Sequence, residues 1–361
     1  MRGREKRENG RNPLRICFLT GKYSPGKCGI SDYLDLLSRE LEKLGHSSRI
    51  ETVGSNAERS FASLAEKLPE CDLMSIQFAP YAFSDNGLSG NDLKRFGAAI
   101  KNCRVQVIFH EIWIGDHKGS SVLQKIKGWR QMKEITDFLS RTQPDDVFST
   151  NAANLYRLRK NGVKARYLYL FGNVPHCEIA KEPSTDPSKL TFLFFGTLYD
   201  SFPLERMIER IGEIAKKTKR KLKVRVMGRQ REEKGIQRLR KLFLREENAL
   251  EELGEVSVQQ ASRILNTSDF GISTTPFDAI GKSGATAAML EHGLPVIAHD
   301  DGDTPEEALF SPGPFKERII LLEDTNFSSR LRELLETSKP SFFDGVAYTS
   351  ETLLRSLATA R

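Results

Sequence analysis

Residues 280–284 read Ile280-Gly281-Lys282-Ser283-Gly284, which puts two glycines, one cation and one hydroxyl within five positions. They follow an apolar strand-like run, residues 269–274. They precede Ala285-Thr286-Ala287-Ala288-Met289-Leu290-Glu291-His292, a small-residue helical stretch closed by Gly293. The first N–H groups of a helix have no intrahelical acceptor, and the helix dipole adds partial positive charge there. A glycine loop with Lys and Ser opening onto such a terminus is suited to an anion, phosphate above all. The Walker pattern would require a glycine five residues before Gly281. That position is Pro276, so the loop is not a P-loop of that kind.

Other residues with usable chemistry lie at comparable points. Gly21-Lys22-Tyr23-Ser24-Pro25-Gly26-Lys27-Cys28-Gly29-Ile30 follows the first strand-like run and opens onto a long helical stretch. His110-Glu111 ends the fourth run, and Gly196-Thr197 ends the first run of the second half. Expected strands are 15–20, 48–53, 72–78, 104–110, 146–150 and 166–170, then 190–195, 221–227, 269–274, 294–298 and 318–322. Helical patterns lie between them, for example at 31–44 and 122–141. Continuous apolar strands alternating with amphipathic helices predict parallel, doubly wound sheets. Residues 173–189, with Pro175, Pro183 and Pro187, read as a linker. The expected fold class is therefore α/β, with two Rossmann-like domains facing a central cleft: a basic tail at 1–13, domains at 14–172 and 190–345, and a C-terminal helix at 346–361 returning to the first domain. Ligands of such sheets sit at the carboxyl ends of strands, where all four loops fall.

Composition sets the limits. The chain has 361 residues, enough for two domains. No apolar run is long enough to span a bilayer, and the N-terminus has no apolar signal region. Five scattered cysteines, never in a C-x-x-C pair, predict reduced thiols, no zinc site and a cytoplasmic protein. Residues 216–245 hold fourteen Lys or Arg against two Glu, whereas the whole chain nets only +7. That segment is a candidate for contact with an anionic membrane surface on its cytoplasmic side, for a polyanionic substrate, or for a solvated face. It holds a single aromatic, Phe243, which argues against nucleic acid as a partner.

With the motifs in place, the chain resembles the retaining GT-B glycosyltransferases often called family 4 or group 1. The resemblance rests on Tyr23-Ser24-Pro25, Cys28-Gly29-Ile30 and Tyr33, Gln77-Phe78 with Pro80-Tyr81, His110-Glu111, and Phe171-Gly172-Asn173-Val174-Pro175. In the second half it rests on Gly254-Glu255-Val256-Ser257, Thr267-Ser268-Asp269-Phe270-Gly271, Glu291-His292-Gly293-Leu294-Pro295, and Gly302 with Pro305-Glu306. It implies a nucleotide-sugar donor, UDP- or GDP-linked, held by the second domain, and a glycan or lipid-linked acceptor held by the first. No cofactor or metal is implied. Donor contacts are implied for Cys28, Gly29, Ile30, Gly196, Thr197, Gly228, Arg229, Val256, Gly281, Ser283, Gly284 and Ala285, and sugar contact for His110. Glu111 and Asp32 are the candidate acceptor bases.

The sequence departs from that pattern at two places. The family's two glutamates, eight positions apart, are replaced by Ile280 and Ala288; Asp278 and Glu291 are the nearby acids expected to substitute. The Arg and Lys that usually follow the Gly196 position are absent, and Lys282 is expected to take over their charge. Asp301-Gly302-Asp303 reads as a strand-end loop rather than a metal motif. Two alternatives remain: a non-catalytic GT-B binding or scaffold module, and a sugar-nucleotide epimerase.

Overall fold

The computed structural model describes residues 12–26, 28–54, 60–67, 70–100, 103–177, 186–244 and 249–359. The basic tail up to Arg11, Lys27, the middle of the 173–189 linker and Arg245 lie outside the described residues. The chain divides into two compact units, one of residues 1–148, 163–166 and 353–361, the other of 149–162 and 167–352.

In chain order the elements of the first half are β1 (Arg15–Thr20), α1 (Gly29–Lys43), β2 (Ser47–Thr52), α2 (Phe61–Glu66), β3 (Leu73–Phe78), α3 (Pro80–Phe83), α4 (Gly90–Ala99), β4 (Arg104–Phe109), α5 (Val122–Thr142), β5 (Asp146–Ser149), α6 (Ala152–Lys160) and β6 (Arg166–Tyr167). The six strands form one sheet in the order β2-β1-β3-β4-β5-β6. Its registered pairs are parallel, Arg15 lying opposite Ser47 and Leu73 opposite Arg104. The central strands are buried along almost their whole length, as strands covered on both faces must be. α1 turns Tyr33, Leu34, Leu37 and Leu41 inward, and Asp32 and Lys43 complement the dipole at its two ends.

The second half continues with β7 (Lys189–Phe195), α7 (Leu204–Lys217), β8 (Lys221–Met227), α8 (Glu233–Leu242), β9 (Leu250–Gly254), α9 (Val258–Asn266), β10 (Phe270–Ile272), α10 (Gly284–Glu291), β11 (Val296–Ala298), β12 (Ile319–Leu321), α11 (Phe327–Glu336) and α12 (Gly345–Thr359). Its sheet runs β12-β11-β10-β7-β8-β9. The core packs Phe192, Phe194, Phe202, Phe270 and Phe327 among aliphatic side chains. The architecture is two doubly wound α/β sheets.

Three elements differ from the sequence pattern. β9 was not expected: it is an edge strand rich in glutamate, so it lacks the apolar run of a central strand. β10 ends at Ile272, so Ser273 and Thr274 belong to the following loop. β6 stops at Tyr167, three residues before the expected end.

Candidate donor site of the second unit

Strand order in the second sheet reverses between β7 and β10, and the carboxyl ends of such neighbouring strands form a ligand crevice. β7 runs into Gly196 at φ 97° and β8 into Gly228 at φ 100°, a region that favours glycine. A Cβ on Gly228 would also lie only 3.2 Å from the Gly196 nitrogen. Gln230 ties the two turns together. Its Oε1 accepts from Leu198 N–H at 2.9 Å and its Nε2 donates to the Gly196 carbonyl at 2.7 Å. Thr274 Oγ1 donates to the Thr197 carbonyl at 2.7 Å, and Thr197 Oγ1 donates to the Arg229 carbonyl at 3.2 Å. Thr197 is thus a structural tie as well as an expected donor contact.

Ser283 is the N-cap of α10, its Oγ accepting from Thr286 N–H at 3.2 Å. Thr286 Oγ1 lies 2.9 Å from Ser283 Oγ and 3.0 Å from Ser273 Oγ, a hydroxyl chain that no motif had marked. The cap leaves the Gly284 and Ala285 N–H groups at the helix mouth. Ala285 faces Gly196, since a Cβ built there would stand 3.8 Å from the Ala285 Cβ. The Asn173 side chain flanks Gly284 at 3.7 Å by the same construction. Lys282 is exposed and has no carboxylate partner among the described residues. The structure thus gathers Gly196, Gly228, Ser283, Gly284 and Ala285, and adds Asn173, whose only signal was its place in the Phe171-Gly172-Asn173-Val174-Pro175 run.

Two of the expected contacts have packing or hydrogen-bonding partners within the unit. Gly281 is buried, and a Cβ there would sit 2.0 Å from the Thr150 carbonyl. Close packing against the Thr150 backbone, just before α6, is by itself enough to require glycine there. Glu291 is 2 % exposed and engaged elsewhere: its Oε1 accepts from Tyr169 O–H and from Gly172 N–H, both at 2.9 Å. Burial pushes its pKa up to about 8, against those two hydrogen bonds. Asp278 is buried and accepts from Thr304 Oγ1 at 2.6 Å, which anchors the loop after β11. In that loop Asp301 lies 3.3 Å from His299 Nε2. Among the described residues no group of three His, Cys, Asp or Glu is arranged to hold a metal ion.

In the first unit, His110 ends β4 and is buried. Its Nε2 is 2.8 Å from Gln77 Oε1, and Gln77 Nε2 donates to Ser75 Oγ at 2.9 Å. The Tyr33 ring meets the imidazole edge-on at 5.4 Å. Burial lowers the His110 pKa to about 4, so the ring is neutral near pH 7. Glu111 is exposed. Asp32 Oδ1 accepts from Gly26 N–H at 2.5 Å, so this carboxylate pins the loop before α1. Cys28 is the N-cap of α1 without a side-chain cap bond, which leaves the N–H groups at Gly29 and Ile30 without that competitor. A Cβ on Gly29 would meet nothing within 4 Å, so packing does not demand glycine there.

No family model matches the chain, and no curated protein matches it by sequence. Solved structures do. HepE from Anabaena, in complex with UDP, aligns with TM-score 0.56 and 13% identity over 96% of this chain and 100% of that one. Sucrose-phosphate synthase from Thermosynechococcus elongatus aligns with TM-score 0.52 and 12% identity over 96% and 100%. An alpha-glucosyltransferase in complex with UDP and DNA aligns with TM-score 0.51 and 13% identity over 97% and 96%. The fold is GT-B. At these identities the likeness is one of fold.

Within this GT-B chain the basic segment 216–245 looks different in space. Glu251 pairs with Lys223 and Arg225 at 2.7 and 3.0 Å, Glu255 with Arg229 at 2.8 Å and Glu252 with Arg240 at 2.7 Å. Glu205 holds Arg238, Glu213 lies near Lys217 and Asp200 near Lys234. Carboxylates outside the segment therefore neutralise much of it, including Arg229, an expected donor contact. Val256 is half-buried just before Ser257, the N-cap of α9.

Proposed function

We propose that the chain is a glycosyltransferase that moves a sugar from a nucleotide donor to a glycan or lipid-linked acceptor, with retention and without metal. The observation that carries this reading is the α10 N-terminus, where Ala285 faces the glycine turn at Gly196 and Asn173 flanks Gly284, at the switch point of a GT-B donor-side sheet. UDP is the first nucleotide to test, since HepE and the alpha-glucosyltransferase are both described with it.

In this reading the bond between the sugar's anomeric carbon and the phosphate oxygen breaks, and its electron pair stays on the diphosphate. The N–H groups of Gly284 and Ala285 and the Lys282 ammonium stabilise that growing charge at fixed positions. The acceptor hydroxyl forms the new bond on the same face, and its proton passes to the departing phosphate oxygen. His110, neutral and fixed by Gln77, serves as a hydrogen-bonding partner of the sugar, not as a cation. Open space at Gly29 suits backbone approach to the diphosphate.

Lys282→Ala tests the assignment. Loss of about 3 kcal/mol of transition-state stabilisation lowers transfer at least ~100-fold, read as UDP release from UDP-sugar. Lys282 is exposed, so thermal stability without ligand should not change, while the stabilisation conferred by UDP should shrink. Transfer within a few-fold of wild type would remove Lys282 from the mechanism.

One observation favours a second reading, a non-catalytic GT-B binding module. Ile280 is packed with Phe277 and Ala298, and Ala288 is fully buried, so both positions of the family's glutamates belong to the core. UDP binding with no nucleotide release from any UDP-sugar would select it.

A further inference from the structure

The first half of α5 carries an apolar surface that none of the described residues covers. Val122 is 72% exposed, Leu123 79%, Ile126 49% and Trp129 52%. Val122, Ile126 and Trp129 follow i, i+4, i+7 spacing and form one stripe. The opposite face is the buried one, with Gly128, Gln131, Ile135 and Phe138. The helix is held there by backbone rather than by apolar side chains: a Cβ on Gly128 would lie 1.8 Å from the Ile114 carbonyl, and one on Gly115 2.5 Å from the Gln124 carbonyl. A capping box between Ser121 and Gln124 fixes its start. The outward stripe is therefore not needed to keep the helix in place.

The charges around it have one sign. Lys125, Lys127, Arg130 and Lys133 flank the stripe, and no Asp or Glu occurs between Asp116 and Glu134. None of the four has a carboxylate partner among the described residues. Lys133 Nζ instead sits 4.1 Å above the Trp129 ring and Lys127 Nζ 5.0 Å above that of Tyr81, itself exposed. A short helix with outward Leu, Ile, Val and Trp beside unpaired Lys and Arg has the makeup of one that lies in the plane of an anionic bilayer interface. We propose that this face of α5 docks onto an anionic lipid surface, with the aliphatic side chains and Trp129 entering the headgroup boundary and the four cations meeting lipid phosphates. The proposal goes beyond the transferase reading and does not depend on it. It also moves the membrane contact away from residues 216–245, where carboxylates already pair seven of the fourteen clustered cations.

The test uses the full chain and vesicles of equal parts phosphatidylglycerol and phosphatidylcholine, without donor or acceptor. Binding is expected at low salt, weaker at physiological salt, and absent on phosphatidylcholine alone. The chain has two tryptophans, and Trp113 is already buried, so a blue shift of emission on binding reports Trp129. Leu123→Glu with Ile126→Glu, both at exposed sites, should weaken vesicle binding at least ~10-fold with unchanged circular dichroism. Lys216→Glu with Lys241→Glu, which removes unpaired cations of the other unit, should alter binding by no more than ~2-fold. The proposal fails if the wild type ignores anionic vesicles at low salt, or if the Leu123/Ile126 pair binds like wild type. It also fails if the Lys216/Lys241 pair abolishes binding, or if the stripe proves to be a dimer contact, seen as a wild-type dimer that the Leu123/Ile126 pair dissociates without any vesicle binding. None of these outcomes bears on nucleotide release, so the two readings stand or fall separately.

Discussion

Glu291 offers a sharp test of the interior of the second unit. It ends α10 with its carboxyl enclosed by Tyr169, Gly172 and the start of α12; a Cβ on Gly345 would lie 2.0 Å from its Oε1. Burial raises its pKa from 4.5 to about 8, with the Gly172 and Tyr169 hydrogen bonds opposing the shift. The folded state therefore holds this proton more tightly than the unfolded chain. Its contribution to stability is complete below pH 4.5, erodes as pH rises, and is gone above about pH 8. At about 1.4 kcal/mol per unit, the erosion amounts to about 3 kcal/mol by pH 7 and just under 5 kcal/mol in full.

Glu291→Gln isolates that effect. The amide oxygen still accepts from Tyr169 and Gly172, and the amide cannot ionise. Urea denaturation followed by circular dichroism should give wild type and Glu291→Gln similar stability at pH 4.5. The variant should gain on wild type by about 1 kcal/mol per pH unit between pH 5 and 8 and then level off. Every other titrating group is common to both proteins and cancels. A difference that stays flat with pH would refute the reasoning, because it would mean that the carboxyl ionises in the fold as easily as in the unfolded chain. Glu291→Ala, which cannot ionise either, should show the same pH slope but lie about 2–4 kcal/mol below Glu291→Gln at every pH, because it strands the Tyr169 hydroxyl and the Gly172 N–H.

His110 is depressed to about 4 by burial, so its ring resonances should not titrate between pH 5.5 and 8. The stability it contributes as a neutral ring is present above pH 6.5 and lost as pH falls toward 4; a resonance midpoint near 6.5 would contradict the enclosed geometry. Gly281→Ala should destabilise by about 1–3 kcal/mol, since the new methyl meets the Thr150 backbone. Thermal unfolding unchanged by that substitution would show that the loop relaxes freely there.

The central parallel strands were legible because they are continuous apolar runs with helical stretches between, a pattern few other folds produce. The helix start at Ser283 was legible for a similar reason: a hydroxyl before a small-residue helix and after a glycine loop. Gly281 was legible only as a required glycine, because a glycine required by a ligand and one required by a neighbouring carbonyl look alike in sequence. Only the position of Thr150, over a hundred residues earlier, separates them. Glu291 was singled out by proximity alone, and the partners of its carboxyl, Tyr169 and Gly172, lie over a hundred residues earlier.

Charge and apolar periodicity failed in opposite directions, and for one reason. The cations of 216–245 stand out along the chain because the partners of half of them, Asp200, Glu205, Glu213, Glu251, Glu252 and Glu255, all fall outside that stretch; folding brings them together and offsets about half of the excess. The apolar stripe of α5 does not stand out, because i, i+4, i+7 spacing is what a buried face also shows. In α5 the buried face in the first turns is made by glycine and glutamine against backbone, so the stronger apolar signal belongs to the side facing out. Periodicity reports that a helix has two faces. Which one is inside is settled by what the neighbouring chain can accept, and here Ile114 accepts only a glycine.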